Sequence, residues 1–586
     1  MAAPIGVGER PTRRRSRTSS ILDGAPRLLL LAPVVLLYLL FFVWPILDVI
    51  LRSVGPNGGT QQVPTGWSLD NFAEIFKDDF LLRIEWRTVV LAITSTVLTV
   101  LLAFPTAYFI SRLSRRTGAI VLLLILVPFW ISIVVRLFAV TSLLSPNGLL
   151  SEAGQLLGFQ SFSLLYTFPG VLVGTTMYLL PYMVLILYAR MSGLDGNLMQ
   201  AARTMGASPW YAFRRVYLPM VRPALLSGGL LVFILSLSFF IVPSVLGGPK
   251  DQTISVYIQQ QIDLYRWGVA SAMGVVLLVV TLVCYAGVVR FSGGIRAGAV
   301  TSVQAKGVSS QEPFRWTPGT VVCGVIAGLS ILVLMLPVLL VFPMSIGETG
   351  TVMFPPRGFT FDWYAKVFEG KTWTAPLIQS FIVATCCAML SVAIGFILAR
   401  TLQRMRSATF RAVFSGLAFA PLIAPAILLA IGIYSVELRL GLTGTTLGLV
   451  LAHTIIAFPF AFALISSALA GVDPELEAAA WTLGASRNRA FWTVVVRGIL
   501  PSVVGAFALS WVTSWDEVVL ALFLLTGATK TLPVTIYQYL ESGILPTVPA
   551  VASMLVASVV VVIVARAVVS RRGRVRREAR SAVGAA

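Results

Sequence analysis

Residues 200–208, Gln200-Ala201-Ala202-Arg203-Thr204-Met205-Gly206-Ala207-Ser208, return as Ala478-Ala479-Ala480-Trp481-Thr482-Leu483-Gly484-Ala485-Ser486, and each copy sits in a polar stretch between long apolar runs. The copies lie 278 residues apart in a chain of 586, and the same offset carries Phe213 onto Phe491 and Pro223 onto Pro501. A register held over that distance implies two related halves fused in one polypeptide.

With 57% hydrophobic and 12% charged residues and a mean hydropathy of +0.88, the chain is too apolar for a soluble multidomain protein. Apolar runs of roughly 20 residues, the length that crosses a hydrocarbon core, fall near 28–51, 88–111, 118–141, 168–189, 223–246 and 269–291. Six more fall near 318–344, 377–399, 409–435, 446–470, 502–525 and 547–569. The expected fold is therefore all-α: a polytopic membrane protein with about twelve transmembrane helices in two homologous six-helix halves. The expected organisation is a basic tail over 1–26, a first membrane domain over 27–291, a Gly/Ser/Ala/Gln-rich linker over 292–317, a second membrane domain over 318–570 and a basic tail over 571–586.

The net charge of +20 does not point to nucleic acid, because the basic residues cluster at alternate ends of the spans. Arg13 to Arg15, Arg112 to Arg116, Arg203 to Arg222, Arg404 to Arg411, Arg487 to Arg497 and Arg571 to Arg577 all fall on one side. The positive-inside rule makes that side, and both termini, cytoplasmic. Anionic headgroups account for the charge. The basic start resembles a secretory leader, but its apolar run exceeds the usual length of about 7–15 residues and no small-residue cleavage site follows, so a retained first span is expected. Cys284, Cys323, Cys386 and Cys387 fall inside spans without metal-ligand spacing and read as packing residues. Short amphipathic stretches at 69–76 and 361–368, with Trp67, Phe72, Phe76, Trp363, Tyr364 and Phe368, read as interfacial segments on the outer side.

The duplicated loop has a definite local grammar. Gly206 suits the left-handed position that ends a helix. Ser208 before Pro209 is an N-cap with a first-turn proline. Gly484 and Ser486 repeat the stop and the start, so each loop reads as helix, sharp turn, helix. Two roles fit such a rigid element: an interfacial helix resting on lipid, or a lever that passes force from a soluble partner into the membrane helices. Its retention in both halves favours the lever.

Asp516 and Glu517 fall near the middle of the eleventh apolar run. A carboxylate facing lipid there costs roughly 2.5–3.5 kcal/mol, so the two are expected to meet water, a donor or a cation. Adjacent residues point about 100° apart on a helix; one is expected to line a path and the other to cap or pair within the bundle, with the assignment open. The corresponding first-half residues, Ser238 and Phe239, are uncharged. Trp130, Tyr178, Tyr182 and Trp515 are candidate aromatic walls for a cationic solute, or packing residues. Arg136 snorkels toward the outer end of its span on this reading, and His453 stands without a placed partner.

The two loops resemble the EAA motif of permease subunits of bacterial ABC importers. The first matches at Ala201, Ala202, Gly206, Val216, Leu218 and Pro219, with Gln200 at the acidic position; the second matches at Ala479, Ala480, Gly484 and Val494, with Glu477 one place early and Arg497 at the position of Pro219. Pro128-Phe129-Trp130, Leu180-Pro181-Tyr182 and Leu246-Gly247-Gly248-Pro249-Lys250 are similar to the first permease of spermidine/putrescine importers, and Ser514-Trp515-Asp516-Glu517 and Thr531-Leu532-Pro533-Val534 to the second. The resemblance implies two type I transmembrane domains in one chain. Gln200, Ala201, Ala202, Gly206, Ser208, Pro219, Glu477, Ala479, Ala480, Gly484 and Ser486 would then form coupling loops. Partners implied are a cytoplasmic ABC ATPase dimer and an extracellular or periplasmic substrate-binding protein, with location in the bacterial plasma membrane. No Gly-x-x-x-x-Gly-Lys-Ser/Thr cradle occurs in the sequence, so the chain is expected to carry no cofactor and no catalytic role of its own, ATP and Mg being bound by the partner ATPase.

The function expected from these features is translocation of a small, cationic or amine-bearing solute by alternating access. A ferric-iron importer permease is the nearest alternative. A twelve-span secondary transporter shares the topology but needs no ATPase and usually lacks the duplicated loop. A membrane enzyme would need a convergent set of nucleophile, base or metal ligands, which the sequence does not suggest.

Overall fold

A computed structural model describes residues 31–55, 66–146, 148–156, 158, 163–291, 317–350, 352, 354–405, 407–525, 529–542 and 545–561. Both basic tails and the linker, apart from its last residue, lie outside the described residues. The first half contains α1 (Ala32–Ser53), α2 (Asp79–Arg112), α3 (Ile133–Leu144), α4 (Phe168–Ser192), α5 (Gly196–Thr204), α6 (Pro209–Leu237) and α7 (Trp267–Phe291). The second contains α8 (Pro318–Met344), α9 (Thr374–Arg404), α10 (Ala426–Leu440), α11 (Thr446–Ala470), α12 (Pro474–Thr482), α13 (Arg487–Trp515) and α14 (Thr547–Val561). Among the described residues, ten helices are long and apolar enough to cross a bilayer, or eleven if a pair bent by 98° counts as one span. The apolar run behind α14 reaches the edge of the described residues.

Four expected spans are broken where the sequence reading drew them continuous. The run at 118–141 divides at a 3-10 turn, Val127–Trp130, before α3 starts after Ser132. The run at 409–435 divides at Ala420–Leu422, and its two pieces form the 98° bend before α10. Pro128 and Pro421 sit in the two turns, each unable to donate a backbone hydrogen bond to the helix preceding it. The eleventh run also breaks: α13 ends at Trp515, and a short helix, Val519–Leu524, follows. Its first-half counterpart ends at Leu237, 278 residues earlier, before Ile241–Leu246. Asp516 and Glu517 therefore occupy a helix break, not a mid-helix site. Carboxylates belong at such a break because it exposes backbone N–H groups that need acceptors.

The halves are interlocked. Helix α1 of the first half packs on α10 of the second, and Tyr38 of α1 also donates to Ala418 O, in the helix before the bend, at 3.0 Å. Gly432 permits this approach, since a Cβ there would fall 2.4 Å from the Pro45 carbonyl oxygen. Asp48 and Arg52, both buried in α1, pair at 2.7 Å; Arg439 reaches the other Asp48 oxygen at 2.5 Å, and Arg52 donates to Ser435 at 2.9 Å. Reciprocally, α8 packs on α2, where Thr106 and Ser330 hydroxyls meet at 3.3 Å. The interfacial helices Asp70–Lys77 and Asp362–Phe368 bury Ile75 and Val367 against the bundle, leaving Trp67, Phe76 and Phe368 exposed. Trp363 and Tyr364 instead turn inward: Trp363 donates to Gly347 O at 2.7 Å, and Tyr364 bonds Ser345 and Ser553.

Candidate functional site: paired loops and a central acid-aromatic box

Both loops form the same backbone device. Helix α5 is capped by Asp195 and ends in a Schellman turn: Gly206 N–H donates to Arg203 O at 3.0 Å and Ala207 N–H to Ala202 O at 3.1 Å. Helix α12 is capped by Asp473 and ends identically, with Gly484 N–H to Trp481 O and Ala485 N–H to Ala480 O, each at 3.0 Å. Gly206 and Gly484 hold φ of +87° and +86°, where a Cβ is disfavoured. Ser208 and Ser486 then cap the next helix, accepting from Tyr211 and Arg489 at 3.3 Å. A π turn follows in each half, Phe213–Tyr217 and Phe491–Val496, so the turn forms whether Pro219 or Arg497 comes after it.

The loops differ in how they attach to the bundle. Met199 is buried in the first, and Phe213 packs on Tyr108 and Phe104 of α2. At the equivalent place in the second stands Glu477, buried and bonded by Arg400 at 2.6 Å and Arg404 at 3.1 Å. Glu477 is thus an internal anchor and not a displaced surface acid. Gln200, Ala201 and Ala479 are exposed, Ala202 and Ala480 half-buried. The tips present Met205, 87% exposed, and Leu483, 88% exposed, apolar side chains that nothing among the described residues covers.

Between the halves, the candidate path residues divide. Asp516 accepts from Ile133 N–H at 2.6 Å, supplying the acceptor that the N-cap residue Ser132 does not give α3. A carboxylate from one half thereby caps a helix of the other, with the helix dipole reinforcing the contact. Its second oxygen lies 3.9 Å from Arg136, a residue the sequence reading placed at the outer end of a span. The Arg136 guanidinium sits 5.2 Å from the Tyr178 ring centroid. Tyr178 and Tyr182 hydroxyls are 3.4 Å apart; Phe129 packs on Tyr182 at 4.5 Å and Phe239 on Tyr178 at 4.9 Å. Asp516, Arg136 and four aromatic rings thus form one box. The remaining candidates lie elsewhere. Glu517 caps its own chain, accepting from Leu520 N–H at 2.6 Å; Trp515 stacks on Trp511 at 4.9 Å; Trp130 is half exposed. His453, buried in α11, meets the Ser514 hydroxyl at 2.8 Å.

Sequence reasoning missed the Arg400–Glu477–Arg404 clamp and the Asp48–Arg52–Arg439 network. The second had a signal: an acid and a base four residues apart inside an apolar run, which are adjacent on a helix and too costly to face lipid singly. The clamp had none, since its partners are some 73 residues or more apart.

Comparison with known proteins agrees with this architecture. Residues 95–297 and 391–574 each match the family "Binding-protein-dependent transport system inner membrane component". The spermidine/putrescine transport system permease protein PotB of Salmonella typhimurium is 30% identical over 244 residues, covering 41% of this chain and 85% of that protein. The permease protein PotC of Haemophilus influenzae is 29% identical over 216 residues, covering 37% of this chain and 84% of that protein. A probable ABC transporter permease protein of Sinorhizobium fredii is 26% identical over 379 residues, 63% of this chain and 66% of its own length. The crystal structure of a bacterial alginate ABC transporter in complex with an alginate pentasaccharide-bound periplasmic protein aligns with 47% of this chain and 96% of its own, at 20% identity and a TM-score of 0.41. Two matched domains over more than half of the chain place it in the family: it is a binding-protein-dependent transport system inner membrane component, a permease of an ABC importer with both permease domains in one polypeptide.

Proposed function

We propose that this permease carries a polyamine-class cation, loaded by a substrate-binding protein and driven by a separate ATPase dimer seated on the two Schellman loops. The observation that carries the cargo reading is the box at the half–half interface, where a carboxylate and Tyr178 already surround an organic cation, the Arg136 guanidinium. Ammonium and guanidinium groups are held by the same pairing of an anion with π faces. Similarity of the two halves to PotB and PotC supports the same cargo class. Exposed Met205 and Leu483 at matched loop tips support docking of a soluble protein there, with that face, both tails and the linker cytoplasmic and the chain in the bacterial plasma membrane. On this reading the two permease units occupy residues 27–291 and 318–570.

The decisive experiment reconstitutes the chain with its ATPase and binding protein in proteoliposomes and measures ATP hydrolysis with putrescine, spermidine, amino-acid derivatives and ferric complexes. Stimulation by the polyamines and not by ferric complexes is expected. Stimulation by ferric complexes alone would overturn the cargo reading, and transport without ATP would overturn the ATPase-driven mechanism.

A further inference from the structure

Two arginines inside the bundle, Arg52 buried and Arg136 partly so, are held in opposite ways. Arg52 is fully engaged: its Nε meets Asp48 at 2.7 Å, and its terminal nitrogen meets Ser435 at 2.9 Å. Arg136 is not. Its Nε is buried with no hydrogen-bond partner, and its nearest carboxylate oxygen, on Asp516, stands at 3.9 Å, beyond hydrogen-bond length. The other Asp516 oxygen is already taken by Ile133 N–H. Charge and the Tyr178 face hold this guanidinium, while its Nε donor goes unused.

Nor does the fold require an arginine here. The second half has the same helix break, and aligning Ile133 with Ala426, the first residues of α3 and α10, sets Leu429 in the place of Arg136. The 278-residue offset sets Ile456, Phe460 and Ser238 opposite Tyr178, Tyr182 and Asp516. One break is thus surrounded by uncharged residues, whereas the other holds a weakly bonded cation in an acid-aromatic box.

We propose that Arg136 is a resident stand-in for cargo: it fills the box while no solute is in transit, keeps small cations out, and is displaced when a cargo ammonium or guanidinium group enters beside Asp516. This rests on the amine-cargo reading and adds how the site is regulated. Displacement is feasible because Arg136 gives up no short hydrogen bond on leaving, and because the cargo replaces its charge, so that Asp516 is never left unpaired in a buried site. An internal competitor that fills the box about nine-tenths of the time weakens the apparent affinity for an external cation about tenfold.

The test uses the full-length chain in nanodiscs, with ethylguanidinium and putrescine as probes and binding read by calorimetry. R136Q should bind both at least about tenfold more tightly than wild type. R136K, which keeps a resident cation, should stay near wild type, and R136Q/D516N should lose the gain. Equal affinity in R136Q and wild type, or a gain that survives in R136Q/D516N, would overturn the proposal. If R136Q does not fold, R136L, which places at this position the residue that the second half carries at Leu429, serves the same comparison. The ethylguanidinium arm needs no cargo, ATPase or binding protein. Failure of the amine-cargo reading would instead appear in the reconstituted complex, as ATP hydrolysis unmoved by polyamines.

Discussion

Substitutions at Gly484 isolate what the loop turn contributes, because a Cβ there would have nothing within 4 Å and its φ is +86°. Any effect must therefore come from the backbone conformation or from a contact with a separate protein. An L-residue in the left-handed region is disfavoured by about 1–2 kcal/mol, which is about a 5–30-fold change in a two-state population. The site is exposed, so the strain is relieved by fraying the two 3.0 Å Schellman bonds and releasing Leu483, while the membrane bundle stays intact. Gly484→Ala should lower ATP-driven uptake about 5–30-fold, with thermal unfolding of the chain almost unmoved. Gly484→Val should be worse, because its branched side chain crowds the same conformation. Gly484→Asn, larger than alanine but more tolerant of the left-handed region, should be the mildest of the three. Uptake in proteoliposomes, read beside thermal unfolding in detergent, gives the ranking. If asparagine proves as damaging as valine, volume at a partner contact is the cause and the backbone argument is wrong; if all three transport like wild type, the turn plays no part in coupling.

Gly206, with φ +87° and equally empty surroundings, should follow the same order. Glu477→Met should weaken attachment of the second loop by leaving Arg400 largely buried without its acid, and adding Arg400→Tyr, which sets a ring against Phe491 as Tyr108 packs on Phe213, should recover uptake; a double variant no better than the single would show that the two anchors are not equivalent. Asp48→Asn removes the charge shared by Arg52 and Arg439 between the halves, and breaking such a buried pair should cost about 3–5 kcal/mol of stability in detergent unfolding. Glu517→Ala should cost about 1 kcal/mol through the lost Leu520 cap, whereas Glu517→Gln keeps an acceptor and should leave polyamine uptake near wild type; a large transport defect in Glu517→Gln would move this residue from capping to the cargo path.

The break between α13 and the helix after it changes how the acidic pair is understood. Two carboxylates within one continuous span would each need compensation against lipid, but at a break each finds backbone donors. Asp516 faces across the interface to α3, and Glu517 folds back onto its own chain. Both acids accept a backbone N–H, and they differ in which helix they cap, Asp516 one of the first half and Glu517 one of its own. The anchoring of the two loops shows the reverse relation: one backbone design is kept in both halves while the chemistry beneath it shifts from aromatic packing to an ion pair.

The sequence by itself determined the all-helical membrane fold, the two halves and the stop-start form of both loops. Those features rest on local quantities: the length of an apolar run, the 278-residue register, and a glycine followed two residues later by a serine. Only the tertiary structure decided that four expected spans are broken, that Glu477 points inward to Arg400, and that Arg136 meets Asp516. A run of apolar residues reads the same whether its helix is straight or broken, since hydropathy records the solvent and not the direction of the backbone. The partner of a buried charge is likewise set by packing between segments distant in the chain; Ile133 and Asp516 are 383 residues apart, and no spacing rule reaches that far.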